Sequence, residues 1–257
     1  MYEPRTYRHW IKDKDLTSFN VVVRETDLYI RASTNLKPKA LKLVLKYRDT
    51  LERYIERHPT FLTSLEPFPV EEDAPYIVKA MSESAAKVGV GPMASVAGAI
   101  AESVGNELLS FSPEIIVENG GDIYLKSSKK RLIGIYAGKS PLSGKIGLEI
   151  NKVDTPLGIC TSSGTVGHSL SYGKADAVIV LSNSAAMADA AATAIGNLIN
   201  QPADIPDGIE FAKGIEGLEG VIIIQGSDMG LWGKVKVCQM SMEEEGDEGN
   251  GKTTSNA

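Results

Sequence analysis

Cysteine is almost absent: the chain has two, Cys160 and Cys238, 78 positions apart and neither in a Cys-x-x-Cys pair. That scarcity excludes a disulfide-framed scaffold and a thiolate zinc site, and predicts two reduced, buried thiols. No apolar run approaches the ~20 residues that a membrane-spanning helix needs. The first residues, MYEPRTYRHWIKDKD, carry charge where a signal peptide has an apolar core. A cytoplasmic protein without a membrane partner is the expectation. Positive charge is not in excess either, since 27 Lys and Arg stand against 33 Asp and Glu for a formal net charge of −6. Broad contact with a phosphate backbone, and so a nucleic-acid partner, is not expected.

The 257 residues are ample for a large core. They read as one domain over residues 1–240 and a disordered acidic, polar tail over 241–257. FNVVVRETDLYIRAS reads as two strands joined at Glu25 to Asp27. Lys37 to His58 has helical spacing, with Leu41, Val44, Tyr47, Leu51 and Tyr54 on one face and a stop near Pro59. TSLEPFPVEEDAPY holds three prolines and is irregular, and a second amphipathic piece covers Ile77 to Lys87. GVGPMASVAGAIAESVGN is a helix of small residues opened by Gly91 and Pro92. PEIIVENGGDIYLKS is a strand, a tight turn and a strand, followed by the strands RLIGIYAG and GKIGLEIN. LGICTSSGTVGHSLSYGKADAVIVLS runs from a strand through a Gly/Ser/Thr loop into another strand, ahead of the alanine-rich helix AAMADAAATAIGN. EGVIIIQGSDMGLWGKVKV supplies two more strands.

An internal echo runs through these segments. MASVAGAI at Met93 matches MADAAATAI at Met187, an offset of 94, while the strands IIVENGGD and IIIQGSD are offset by 107. Two related halves with an insertion between helix and strand in the second would give this pattern. Chance likeness of two alanine-rich helices would give it as well.

Three stretches could carry chemistry. In the alanine-rich helix Asp189, Thr193 and Asn197 lie at i, i+4 and i+8 and form one polar stripe. Hard oxygens on one face suit Mg²⁺ or Ca²⁺, with a phosphate completing the shell. The polar face of an ordinary surface helix looks the same. ENGGDIY is by default a hairpin turn, but bare glycines also let a ligand touch backbone, with Asn119 and Asp122 at the rim. CTSSGTVGH could cradle phosphates through its hydroxyls and N–H groups, although it lacks the Gly-Lys-Ser/Thr end of a P-loop. His168 ends that stretch as a titratable group within reach of a ligand. Cys160 is by default a small buried hydrophobe and, in the sharper reading, a reactive thiol beside His168.

In this order VENGGDIYL, CTSSGTVGH and VIVLSNSAAMADAAATAIGN resemble the NaGGD, TSG…H and ADALaTAl motifs of the ApbE family, FAD:protein FMN transferases that move FMN from FAD to a Ser or Thr of a target protein. The resemblance covers residues 88 to 200 and looks closest to a short, uncharacterised branch found in archaea and anaerobic bacteria. It implies an α+β fold of T-fold-like halves with antiparallel sheets and two central small-residue helices. It implies a metal held by Asp189, Thr193 and the carbonyl of Asn119. It places Gly120, Gly121 and Asp122 beside a flavin, Thr161, Ser162, Ser163 and Gly164 in the ligand loop, and His168 and Asp189 in catalytic roles. FAD and an acceptor protein are the partners such a family brings, and whether a homodimer completes the site stays open.

Departures from the family pattern are also visible. His168 is followed by SLSYG rather than x-x-Asp-Pro, only Thr165, Val166 and Gly167 separate the loop from the histidine, and the N-terminal flavin cradle has no counterpart. Three functions stay open: a metal-dependent enzyme acting on a flavin or nucleotide pyrophosphate, a non-catalytic flavin or nucleotide binder, and an accessory factor in anaerobic sulfide incorporation into homocysteine with Cys160 as persulfide carrier.

Overall fold

The computed structural model describes Arg8, Trp10 and residues 15–165 and 172–240. The expected tail at 241–257 and His168 lie outside the described residues. Strands β1 (Thr17–Val23) and β2 (Thr26–Ala32) form the first hairpin, and helices α1 (Lys37–Arg57), α2 (Pro59–Thr63), α3 (Tyr76–Val88) and α4 (Val96–Leu108) follow. Then come β3 (Ile115–Asn119), β4 (Asp122–Lys126), β5 (Arg131–Gly134), β6 (Ile146–Ile150), β7 (Leu157–Ser162) and β8 (Ala177–Ser182). The order ends with α5 (Ala185–Leu198), α6 (Ile205–Lys213), β9 (Leu218–Gln225), β10 (Asp228–Gly233) and β11 (Val237–Gln239).

Eight strands make one antiparallel sheet in the order β1-β2-β3-β4-β7-β8-β9-β10. The order repeats: each half is a hairpin, a helical stretch and a second hairpin. The halves join where β4 pairs with β7, Ile123 opposite Ile159 and Leu125 opposite Leu157. The helices of the sequence echo, α4 and α5, hold the same place in each half, and the insertion expected in the second is α6. This is the α+β arrangement the sequence implied.

Alternation along the strands explains the layering. From β3, β4, β7, β8 and β9, Ile116, Ile123, Leu125, Leu157, Ile159, Ile179, Leu181 and Ile222 join a core with Ile133 and Leu148 of a second sheet, ordered β11-β6-β5. The intervening residues Ile115, Val117, Tyr124, Cys160, Val178, Val180 and Val221 face the helices. Helices, large sheet and small sheet therefore form three layers.

Helix α5 is buried along most of its length, and its alanines let neighbours approach closely. At Gly98 of α4 a Cβ would stand 2.2 Å from the Ala185 carbonyl oxygen and 2.9 Å from Asp189 Cβ. Only a glycine lets the two helices meet at that distance.

Several details differ from the sequence reading. The first hairpin turns at Arg24 and Glu25, with Arg24 at φ 52°. The buried face of α1 uses Ala40 with Val44, Leu51 and Tyr54, while Leu41 is exposed, because a shift of one residue in a 3.6-residue repeat moves the stripe by 100°. Pro92–Ser95 forms a 3₁₀ turn and α4 proper begins at Val96. Cys160 is buried but Cys238, on the short edge strand β11, is only partly so. Among the described residues no single helix is long and apolar enough to cross a membrane.

Candidate active site

The three motifs meet at one end of the large sheet. Asn119 and Asp122 close the β3–β4 hairpin opposite each other, with Gly120 at φ 71° and Gly121 at φ 112° between them. Positive φ at both central residues matches the twist of the strands, which is why two glycines stand there. The turn is open, and nothing lies within 4 Å of where a Cβ on Gly121 would be. Its two ends are fixed inward. Asn119 Nδ2 donates to the Ala97 carbonyl at 3.0 Å, and Asp122 Oδ1 accepts the Thr161 N–H at 3.1 Å.

Asp189 enters from α5 and its Oδ2 accepts the Gly98 N–H at 2.8 Å. Gly98 is the third residue of α4, so Asp189 satisfies one of the donors that a helix start leaves without an intrahelical partner. Asn197, two turns on, accepts the Tyr172 N–H at 3.0 Å through Oδ1. Thr193 between them is half-buried and its hydroxyl has no hydrogen-bond partner among the described residues. The stripe is therefore not a surface face: it engages two neighbouring segments and leaves one hydroxyl over.

Electrostatics tie the two acids together. Burial, opposed by the Thr161 N–H and the Cys160 thiol and reinforced by Glu118, pushes the Asp122 carboxyl up to about 7. Burial and the Asp122 charge push Asp189 well above the usual carboxylate range, against the N–H groups of Gly98 and Ala97. Burial and then the two carboxylates raise the Cys160 thiol, which donates to the Ala185 carbonyl at 3.3 Å. Such a thiol stays protonated and poorly reactive.

Two mutually repelling carboxylates and a free hydroxyl are a hard-oxygen donor set that suits a divalent cation. Among the described residues no three His, Cys, Asp or Glu side chains are grouped to hold a metal. Protein oxygens would thus fill only part of a coordination shell and leave the rest to water and a phosphate, as Mg²⁺ tolerates.

The described start of the Ser/Thr/Gly loop, up to Thr165, is anchored by two bonds. The N–H of Gly164 donates to the Ala175 carbonyl at 2.9 Å, and the Thr165 hydroxyl to Asp176 Oδ1 at 3.1 Å. Asp176 Oδ2 also accepts the Gly226 N–H of the β9–β10 turn at 2.7 Å. With the N–H groups of Thr161 and Gly164 engaged, the Ser162 hydroxyl, on the face of β7 that meets α5, has no hydrogen-bond partner among the described residues, and neither has the Thr161 hydroxyl on the opposite face of the strand.

Sequence reasoning missed Glu102 and Glu118. Glu102 Oε2 accepts the Ala185 and Ala186 N–H groups at 2.7 and 3.2 Å and the Ser184 hydroxyl at 2.9 Å. A signal for it existed: GVGPMASVAGAIAESVGN contains one acid, as AAMADAAATAIGN does. Glu118 reads as an interior strand residue and has no such signal.

The family model described as AbpE bacteria matches residues 8–208. A UPF0280 protein of Methanococcus aeolicus is 43% identical over 241 residues, covering 89% of this chain and 94% of its own length. One from Methanopyrus kandleri is 44% identical over 224 residues, covering 84% and 90%. Among solved structures, the apo flavinyl transferase ApbE of Pseudomonas stutzeri superposes with a TM-score of 0.54 at 13% identity, over 84% of this chain and 94% of that one. The ApbE protein of Thermotoga maritima gives 0.52 at 12% identity, over 84% and 96%. These two structures share the fold.

Proposed function

The chain belongs to the family described as AbpE bacteria, and on that premise we propose that it is a flavin transferase, taking FAD as substrate and passing its FMN half to a hydroxyl of an acceptor protein. The observation that carries this reading is that the Asn119–Asp122 turn, the Thr161 end of β7 and Asp189 gather at one end of the large sheet: Asp122 accepts the Thr161 N–H, Asn119 Nδ2 donates to the Ala97 carbonyl, and Asp189 accepts the N–H of the next residue, Gly98. In this reading Gly120 and Gly121 lie against the flavin, and the Ser162 hydroxyl, with Thr161, Ser163 and Gly164 beside it in the loop, meets the pyrophosphate. Asp189, Thr193 and the Asn119 carbonyl would hold Mg²⁺ or Ca²⁺. When bound, such an ion neutralises pyrophosphate charge and makes a nearby hydroxyl more acidic.

The acceptor oxygen bonds to the FMN phosphorus, the P–O bond to the AMP half breaks, AMP leaves with the electron pair, and His168 takes the hydroxyl proton. A second reading, tight binding without turnover, is supported by the structural bond that Asp189 makes to α4. Full burial of Cys160 gives no support to a persulfide carrier in homocysteine synthesis.

The test is chromatography of FAD incubated with the protein and Mg²⁺. Steady AMP release that Asp189→Asn abolishes is the expected result. Stoichiometric FAD binding without AMP would favour the second reading, and neither binding nor AMP would overturn both.

A further inference from the structure

We propose that Arg8 is a positioning residue for the Gly120–Gly121 turn, acting through Glu118, 110 residues away from it in sequence, and setting how well the turn fits its ligand. This rests on the transferase reading for its ligand, but its geometry stands alone. Glu118 is 2% exposed and its two carboxylate oxygens are divided. Oε1 accepts the Gly121 N–H at 2.9 Å, and Oε2 accepts Arg8 Nε at 2.6 Å. Arg8, 8% exposed, also reaches Asp27 with Nη1 at 3.1 Å and the Asp27 carbonyl with Nη2 at 2.9 Å. One guanidinium thus joins the β1–β2 hairpin to the β3–β4 hairpin.

Each link in this chain has a reason. The ends of the turn are held by Asn119 and Asp122, so the Gly121 N–H is the contact that fixes its tip. Without the Arg8 guanidinium the Glu118 carboxylate loses the contact that holds Oε2 and is free to turn, which changes the bond that Oε1 makes to Gly121. Arg8 is itself held in place. Its carbonyl accepts Arg31 Nη2, and two residues on Trp10 lies over Gly134 and Gly144, where a Cβ would stand 2.6 and 3.1 Å from Trp10 atoms. A lysine could not copy the arrangement, because Arg8 serves three acceptors with three nitrogens of one planar fork.

The experiment compares wild type, Arg8→Ala, Glu118→Gln and the double variant, by amide hydrogen exchange of the ligand-free proteins and by steady-state release of AMP from FAD with Mg²⁺. Expected in Arg8→Ala are Gly121 exchange at least ten times faster and KM for FAD raised about tenfold with kcat within twofold. Glu118→Gln keeps an acceptor for Gly121 and removes the charge that needs Arg8, so the double variant should recover most of both effects. Unchanged Gly121 exchange in Arg8→Ala, or a double variant no better than Arg8→Ala, overturns the proposal. If the wild type releases no AMP, the transferase reading has failed, and the exchange comparison still decides whether Arg8 holds the turn.

Discussion

Glu102 and Asp189 each cap the helix that carries the other. Glu102 of α4 binds the first N–H groups of α5, and Asp189 of α5 binds the Gly98 N–H in the first turn of α4. The pairing works because the helices run antiparallel there, with Gly98 beside Asp189 and Glu102 beside Ala185. A negative group at a helix start also meets the positive end of the helix dipole. The acid at the centre of the proposed chemistry thus has a structural task as well, and the two can be separated.

Asp189→Asn keeps an oxygen for Gly98 and loses the charge, whereas Asp189→Ala loses both. Urea unfolding should show the alanine variant destabilised by about 1–2 kcal/mol and the asparagine variant by well under half of that. Mg²⁺ is expected to raise the melting temperature of the wild type and of neither variant. Equal destabilisation of the two variants would refute the capping role.

Glu102→Ala removes the acceptor for two backbone N–H groups and the Ser184 hydroxyl. A loss of about 2 kcal/mol in unfolding free energy is expected, with exchange of the Ala185 and Ala186 amides accelerated. An unchanged denaturation midpoint would show that the first turn of α5 does not depend on it.

Gly98→Ala drives a methyl group into the Ala185 carbonyl oxygen. Despite alanine's better helix propensity, overpacking should cost about 2–3 kcal/mol, read in the same titration. A stabilised variant would mean that α4 and α5 can separate freely.

Acid should weaken the fold partly through Glu114. Burial opposes its ionisation, but the hydroxyls of Ser128 and Ser127 and the Arg131 guanidinium outweigh burial and hold the carboxyl at about 2, below its ordinary 4.5. The folded state therefore prefers the charged form, so this stability is present above about pH 4.5 and is lost as pH falls through 4.5 toward 2. Between pH 6 and 3 the wild type should lose on the order of 2 kcal/mol more than Glu114→Gln. Parallel stability curves for the two proteins would contradict it.

Thiol access gives a direct count. Cys160 is fully buried and Cys238 partly exposed, so a thiol reagent should modify one cysteine in the native protein and two after denaturation. Rapid native modification of Cys160 would place it in solvent.

Local pattern made much of this legible. Short apolar runs gave the strands from Ile115 to Lys126, and the glycine pair gave their turn, because both signals lie within a few residues. The stripe of Asp189, Thr193 and Asn197 was legible as geometry, but not what its members touch, since Gly98 and Tyr172 belong to other segments. Helix α6 and the pairing of β11 with β6 were not readable, because strand pairing over 90 residues leaves no mark in either strand. Glu118 was hidden for the same reason: its cation is 110 positions away.

The repeat of hairpin, helix and hairpin leaves the molecule with two counterpart turns, Asn119–Asp122 and Gln225–Asp228, and they have diverged in task. The first presents the open Gly121 position and is tied to β7 through Asp122. The second, gripped through Gly226 by Asp176, braces the Ser/Thr loop at Thr165. The two turns divide the labour: one keeps an open glycine surface, and the other serves as a buttress for the Ser/Thr loop.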